Sequence, residues 1–223
     1  MNENAVFLEK TGYDTFYEKL VSIIRYFDEI MPANGSKVVV KINLCDARTP
    51  DTGAITHPAA LNSVLKFLYE NVGDRLKVKV VESDASVALP DLFIRWFGLY
   101  DVIKEWGAEY VNLSKDEVVY VNVEKEGSSL GLPLKVVPVP RSIVETDFFI
   151  TFPKLKTSSL TKITCALKNQ FGCLPVVRKV RYHPIINEII AILNKVIRPD
   201  LSIVDGVISH IGVQGPAFGE PLL

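Results

Sequence analysis

From Phe148 through Asn187 the chain carries no Asp or Glu, yet it holds Lys154, Lys156, Lys162, Lys168, Arg178, Lys179 and Arg181, a charge of +7. The remaining residues sum to −8, and the whole chain to −1. A solvated surface mixes its signs, so this segregation points to a region that faces an anion. Carboxylate, phosphate or nucleic acid could each supply that anion. Lys154, Lys156 and Lys168 are the candidates to grip it or to stabilise a developing oxyanion.

Other residues with chemistry fall where strands should end. Asn43 and Thr56-His57 follow one strand, Asp84 another, Lys154 to Thr157 a third, and Asp205 the last. In open parallel sheets, ligands bind at the carboxyl ends of strands, so one edge of one sheet is the expected site. His57, Lys168 and Asp205 are the catalytic candidates, with His57 or Asp205 as the proton-transfer group. Asn43, Thr56, Asp84, Lys154, Lys156, Thr157, Thr161 and Asn169 are the candidates to orient a ligand. Each has a plainer reading. A histidine can close a loop, an aspartate can cap a turn, and loops are polar in any case.

Cys45, Cys165 and Cys173 show no C-x-x-C, zinc-type or ferredoxin-type spacing. They could still converge in space on an iron–sulfur cluster, or remain free thiols in a reducing cytoplasm. No G-x-G-x-x-G follows a strand, and neither a P-loop nor a G-x-S-x-G elbow occurs. A standard dinucleotide site, a nucleoside triphosphate site and a serine-hydrolase site are therefore set aside.

These residues need elements to hold them. Ala5–Leu8 is a short apolar strand candidate. Thr15–Ile30 has apolar residues at spacings of three and four, which predicts a helix with Asp14 as its cap. Lys37–Leu44 reads as a strand, and Thr56 should cap a helix running from Pro58 to about Val72. Leu76–Val81 is the next strand. Leu92–Trp106 reads as one or two helices broken near Gly98, and Glu109–Leu113 as a fourth strand. This alternation predicts a mostly parallel sheet with helices on both faces.

Residues 115–140 break the rhythm and read as an inserted antiparallel hairpin. Asp147–Phe152 resumes the sheet. A helix is expected over Leu160–Phe171, with Thr161, Cys165 and Lys168 in one polar row and Leu160, Ile163, Leu167 and Phe171 packed on the sheet. A further helix spans about Pro184–Val196, Leu201–Asp205 is a last strand, and a glycine-rich tail follows.

The totals bound the class. Hydrophobic residues are 48% and charged residues 23%, so 223 residues can fold as one α/β domain around a real core without disulfides. The near-zero net charge argues against a dedicated nucleic-acid binder. The most apolar stretch, Ile185–Ile197, contains Glu188 and Lys195, so no membrane span is expected. An enzyme acting on a small carboxylate- or phosphate-bearing substrate is expected, with that small anionic ligand as its partner. The alternatives are an iron–sulfur-linked redox module with a redox partner and a surface that binds nucleic acid or an acidic protein. A cytoplasmic location is expected.

Several blocks carry a resemblance. They are Lys41-Ile42-Asn43-Leu44, Thr56-His57-Pro58, Phe152 to Thr157, Thr161 to Thr164, Ala166 to Gly172 and His183. Val204-Asp205-Gly206 and Gly215 to Gly219 complete the set. In this order they resemble the family known as domain of unknown function 362. The resemblance implies an uncharacterised protein of a group often associated with iron–sulfur or ferredoxin-like parts. This sequence lacks a ferredoxin-type cysteine motif. It also stops where relatives usually continue, so a truncated C-terminus is expected.

Overall fold

The computed structural model describes residues 5–86, 88–215 and 218–223. A five-stranded, wholly parallel sheet forms its centre, with strand order β3-β2-β1-β6-β9. The strands are β1 (Lys37–Lys41), β2 (Lys77–Glu82), β3 (Glu109–Asn112), β6 (Phe148–Thr151) and β9 (Leu201–Ser202). Between β3 and β6 lies an antiparallel pair, β4 (Val118–Asn122) and β5 (Val136–Pro140).

The strands are hydrophobic on both faces because both faces are covered. Val38, Val40, Val78, Val80, Phe148 and Ile150 point into one core with Leu61, Leu65, Ile94 and Ile103. Those partners come from α2 (Pro58–Phe67), α3 (Pro90–Trp96) and α4 (Leu99–Glu105); α1 (Phe16–Ile24) adds Phe16 and Leu20. The alternate residues Val39, Val81 and Phe149 point into a second core. There they meet Val137 and Val139 of β5 and Ile189, Ile192 and Leu193 of α8 (Ile186–Val196). The α/β class with helices on both faces is as the sequence predicts.

A second sheet, order β11-β10-β7-β8, grows out of the first. Its strands are β7 (Lys154–Ser158), β8 (Lys162–Thr164), β10 (Asp205–Gly215) and β11 (Phe218–Leu222). β6 and β9 pair in the first sheet, and their continuations β7 and β10 pair in the second. Backbone bonds from Ile203 to Thr151 (3.0 Å) and from Asp205 to Pro153 (2.9 Å) carry the ladder across the break. Pro153 has no N–H to donate, which suits the point where one sheet hands over to the next.

Several expectations change. Ala5–Leu8 forms no strand, and Val6 and Leu8 are exposed. The first helix tightens into a 3-10 turn over Arg25–Ile30, and the helix over 58–72 ends in a π turn, Leu68–Val72. Thr15, not Asp14, is the first N-cap residue, and it makes no side-chain cap bond. Gly98, at φ +72°, separates α3 from α4 as expected. The hairpin forms its own two-stranded sheet, and a short helix, α5 (Glu124–Ser129), stands where a simple turn was expected. The final strand stops at Ser202, and the glycine-rich tail is β10 and β11 instead; Pro216 and Ala217 of its motif lie outside the described residues.

The largest correction concerns 160–171. Only α7 (Ala166–Asn169) and a 3-10 turn over Gln170–Cys173 are helical there, and β8 occupies Lys162–Thr164. Thr161, Ile163 and Thr164 are β-branched and prefer the extended form. Lys162 takes a left-handed φ of +65° to close the turn, while Thr161 Oγ1 bonds Ser158 Oγ (3.0 Å) and the Ile163 carbonyl (2.9 Å). The expected polar row of Thr161, Cys165 and Lys168 on one helix face is therefore absent. Leu160, Ile163 and Leu167, expected to pack on the sheet, are exposed.

Candidate functional site

The second sheet turns its polar side inward. In β7, Lys154, Lys156 and Ser158 are buried while Leu155 and Thr157 face outward. Direct register places Thr164 and His210 on either side of Lys156, and all three are buried. Opposed residues share a face, so a row Thr164–Lys156–His210 lies across the inner surface. Lysine is rarely buried unless paired, which makes this face unusual.

At one end Lys154 and Asp205 form a fully buried ion pair at 2.8 Å. Tyr13 closes it, donating to both Asp205 oxygens (3.4 and 3.3 Å) and accepting from Lys154 Nζ at 3.2 Å. Burial, reinforced by the Asp205 charge, pushes the Tyr13 phenol far above its ordinary range. His57 stacks on Tyr13 with ring centroids 3.8 Å apart. His57 also replaces Thr56 as the cap of α2: its Nδ1 accepts from the Ala59 N–H at 3.2 Å. That bond leaves Nε2 to carry the proton, 3.5 Å from the exposed Asp51 carboxylate. Burial holds His57 below the ordinary histidine range, against the opposing pull of Asp205 and Asp51.

At the other end the strand tips of β1 and β2 hold a second buried pair, Lys41–Glu82 at 2.7 Å. Glu82 also accepts from the Leu44 and Ser83 N–H groups, each at 2.9 Å. Lys179 is drawn down to about 8 by burial, with Glu82 opposing, and donates to the Asp84 carbonyl. The Asp84 carboxylate is occupied by Asn112 at 2.9 Å. A Cβ at Gly172 would come 2.6 Å from Lys41 Nζ, so a larger residue here would have to displace the Lys41–Glu82 pair.

Among the described residues Lys156 and Lys168 carry positive charge without a carboxylate in contact; the Asp46 carboxylate, which feels the Lys156 charge, is gripped by Arg48. Lys156 Nζ is 2.9 Å from Cys45 Sγ and donates to the Ala54 carbonyl at 2.5 Å. Lys168 is held below the ordinary lysine range by burial first; the nearby Cys45 opposes and the nearby Lys156 adds. Among the described residues no carboxylate lies within 4 Å of either ammonium, whereas Lys41 and Lys154 each have one. Asn43 donates to Asn169 Oδ1 at 3.4 Å, and Asn169 in turn holds the Lys41 carbonyl and Thr151 Oγ1, each at 3.0 Å. Thr56 Oγ1 bonds the backbone of Asn43 in both directions. The buried atoms Asn43 Oδ1, Thr164 Oγ1 and Gln170 Nε2 have no hydrogen-bond partner among the described residues. Buried polar atoms are normally satisfied, so such a group is the kind of atom a ligand meets.

The sequence candidates thus divide. His57, Lys154 and Asp205 come together around Tyr13. Lys156, Lys168, Cys45, Asn43 and Asn169 come from the neighbouring strand ends and α7. Thr157 is spent on the Gly212 carbonyl (2.6 Å) and Thr161 on its turn. Tyr13, Lys41 and Glu82 carry the site's hydrogen bonding yet were not singled out as candidates. A lone tyrosine in a polar N-terminal stretch gives no signal, and a lysine and a glutamate ending two apolar strands become informative only once the strands are adjacent. Cys45, Cys165 and Cys173 are free thiols. Burial pushes Cys173 up to about 12. Among the described residues no group of three His, Cys, Asp or Glu is arranged to hold a metal ion. Two cavities, of about 500 and 400 Å³, lie elsewhere. The larger is at the opposite strand ends, lined by Lys37, Lys77, Lys79 and Arg141; the smaller is beside Asp91 and Lys115.

A five-stranded parallel sheet, covered on both faces and continued into a polar second sheet, defines an α/β protein whose strand-end motifs match one family. Residues 38–222 match the family described as Domain of unknown function (DUF362), and the chain belongs to it. A thylakoid-associated protein of Synechocystis sp. is 27% identical over 198 residues, covering 84% of this chain and 56% of that protein. A solved structure from Thermotoga maritima aligns with 98% of this chain and 56% of its own, at 12% identity and a TM-score of 0.48. The chain therefore spans little more than half the length of these proteins. No helix among the described residues is long and apolar enough to cross a membrane.

Proposed function

We propose that the inner face of the second sheet binds a small carboxylate- or phosphate-bearing ligand at Lys156 and Lys168, and that the protein acts on it as an enzyme in a reducing cytoplasm. One observation carries this reading: among the described residues the neighbouring ammonium groups of Lys156 and Lys168 have no carboxylate in salt-bridge contact, whereas the fully buried Lys41 and Lys154 each have one. Two like charges held together repel, and an anion between them relieves that repulsion. Thr164, directly opposite Lys156, supplies a hydroxyl without a partner among the described residues.

The other candidates take positional roles. Asn169 and Thr56 fix Asn43, and the Lys154–Asp205–Tyr13 unit is a proton-holding group on the same inward face of β7. His57, with Nδ1 committed to its helix, offers a proton from Nε2 more readily than it accepts one there.

Calorimetric titration with malonate and with inorganic phosphate tests the reading. Lys168→Gln should weaken binding about tenfold or more, the worth of one charge-assisted hydrogen bond. Its melting temperature should stay close to that of the parent. Equal affinity in a folded variant removes Lys168 from the site. Tight binding of one anion and not the other identifies the ligand class.

A further inference from the structure

Cys45 is a thiol beside Lys156 that the roles above leave without a task. We propose that Cys45 forms a covalent bond with a small carboxylate-bearing electrophile captured by Lys156 and Lys168, an inference that rests on the anion-binding reading of that pair.

Three features place the thiol in a reactive setting. Cys45 is a partly exposed residue whose sulfur lies 2.9 Å from the Lys156 ammonium, so negative charge on Sγ meets a positive partner. Lys168 stands close enough to both groups for their charges to register on it, which gives the carboxylate of an incoming molecule a cation beside the sulfur. The third is independent of the cysteine. Thr164, only 2% exposed, sits directly opposite Lys156 on the inner face, and its hydroxyl has no partner among the described residues. A buried hydroxyl beside a buried ammonium provides a further hydrogen-bonding contact for an anionic group.

The groups facing the sulfur also say where its proton goes. Sγ approaches the Ala54 carbonyl at 3.7 Å and Asp46 Oδ2 at 3.8 Å, both acceptors for the thiol form. Burial would raise the Asp46 carboxyl, but Arg48 grips it through several bonds of 2.6 to 3.2 Å and holds it below the ordinary range. Asp46 is therefore a weak base, and the thiol proton passes to solvent. The thiolate then attacks the electrophilic carbon. The S–C bond forms, the bond from carbon to the leaving group breaks, and the leaving group departs with the electron pair. No oxidant or reductant enters.

Cys165 and Cys173 are internal controls, one partly exposed and one buried. The folded full chain is alkylated with iodoacetate or with neutral iodoacetamide, and each cysteine is followed by peptide mass spectrometry. In both reactions iodide is the leaving group. The rate ratio of iodoacetate to iodoacetamide should be about tenfold higher at Cys45 than at Cys165, as expected where fixed positive charge concentrates an anion. Lys168→Gln should lower the ratio at Cys45 about threefold or more and leave Cys165 unchanged, while Lys168→Arg should retain it.

Equal ratios at the two cysteines overturn the proposal. So does an inert Cys45 in a chain that still binds malonate, a result that leaves the anion site standing. Equal ratios together with no malonate binding remove both.

Discussion

The two sheets solve burial in opposite ways. Apart from the Lys41–Glu82 pair at its strand tips, the first buries apolar residues on both faces: Val38, Val40 and Val80 on one side, and Val39 and Val81 on the other. The second places Lys154, Lys156, Asp205 and His210 inward and leaves Ile163 and Ile211 exposed. The first sheet is held by removing apolar surface from water, which needs no particular partner. The second is held by specific pairs, each of which is costly if half of it is removed. A face built that way stabilises poorly for its size and gives the chemistry of the site a fixed, water-poor frame.

That contrast sets the order of effects. Lys154→Met should be the most damaging single change, because it strands the Asp205 carboxylate at 1% exposure; a loss of about 3–5 kcal/mol is expected from denaturant unfolding. Adding Asp205→Leu to it should recover most of that loss, since a buried pair and an apolar replacement of similar volume are nearly equivalent. A double variant no more stable than the single one would break the comparison. Leu65→Ala, in the first core, should cost about 2–5 kcal/mol, with no second-site rescue from a charge change.

A smaller effect separates His57 from a catalytic base. Burial depresses its folded pKa below the unfolded value, so the unfolded chain takes up the proton first. Its stability contribution is present above about pH 6.5 and is lost as pH falls toward the folded value. His57→Asn keeps a side-chain cap on α2 and should flatten that part of the stability–pH curve. An unchanged slope would mean that His57 does not titrate with folding. Leu167→Ser, at a residue 65% exposed, should shift stability by less than about 0.5 kcal/mol, which sharpens the contrast with Lys154.

The legible and illegible parts of the sequence follow the same division. Alternating strands and helices with a single pattern of apolar periodicity made the first sheet, its helix breaks and its strand-end edge readable. Lys154, Asp205 and His57 stand out locally by charge and position, and the fold brings them together around Tyr13. The second sheet was not readable as such. Its strands invert the usual pattern, so Leu160, Ile163 and Leu167 looked like a buried helix stripe when they are an exposed surface. Tyr13 joins Asp205 across 192 residues, and Lys41 joins Glu82 across 41, pairings that only the folded topology brings about.

The central claim is that the unpaired positive charge at Lys156 and Lys168 is where an anion sits. Crystals of the protein soaked in selenate and measured at the selenium edge locate the anion without assumption. A peak within hydrogen-bond reach of both ammonium nitrogens, about 3 Å from each, is the predicted result. A peak confined to the rim of Lys37, Lys77 and Lys79 at the opposite strand ends, with nothing between Lys156 and Lys168, would contradict it.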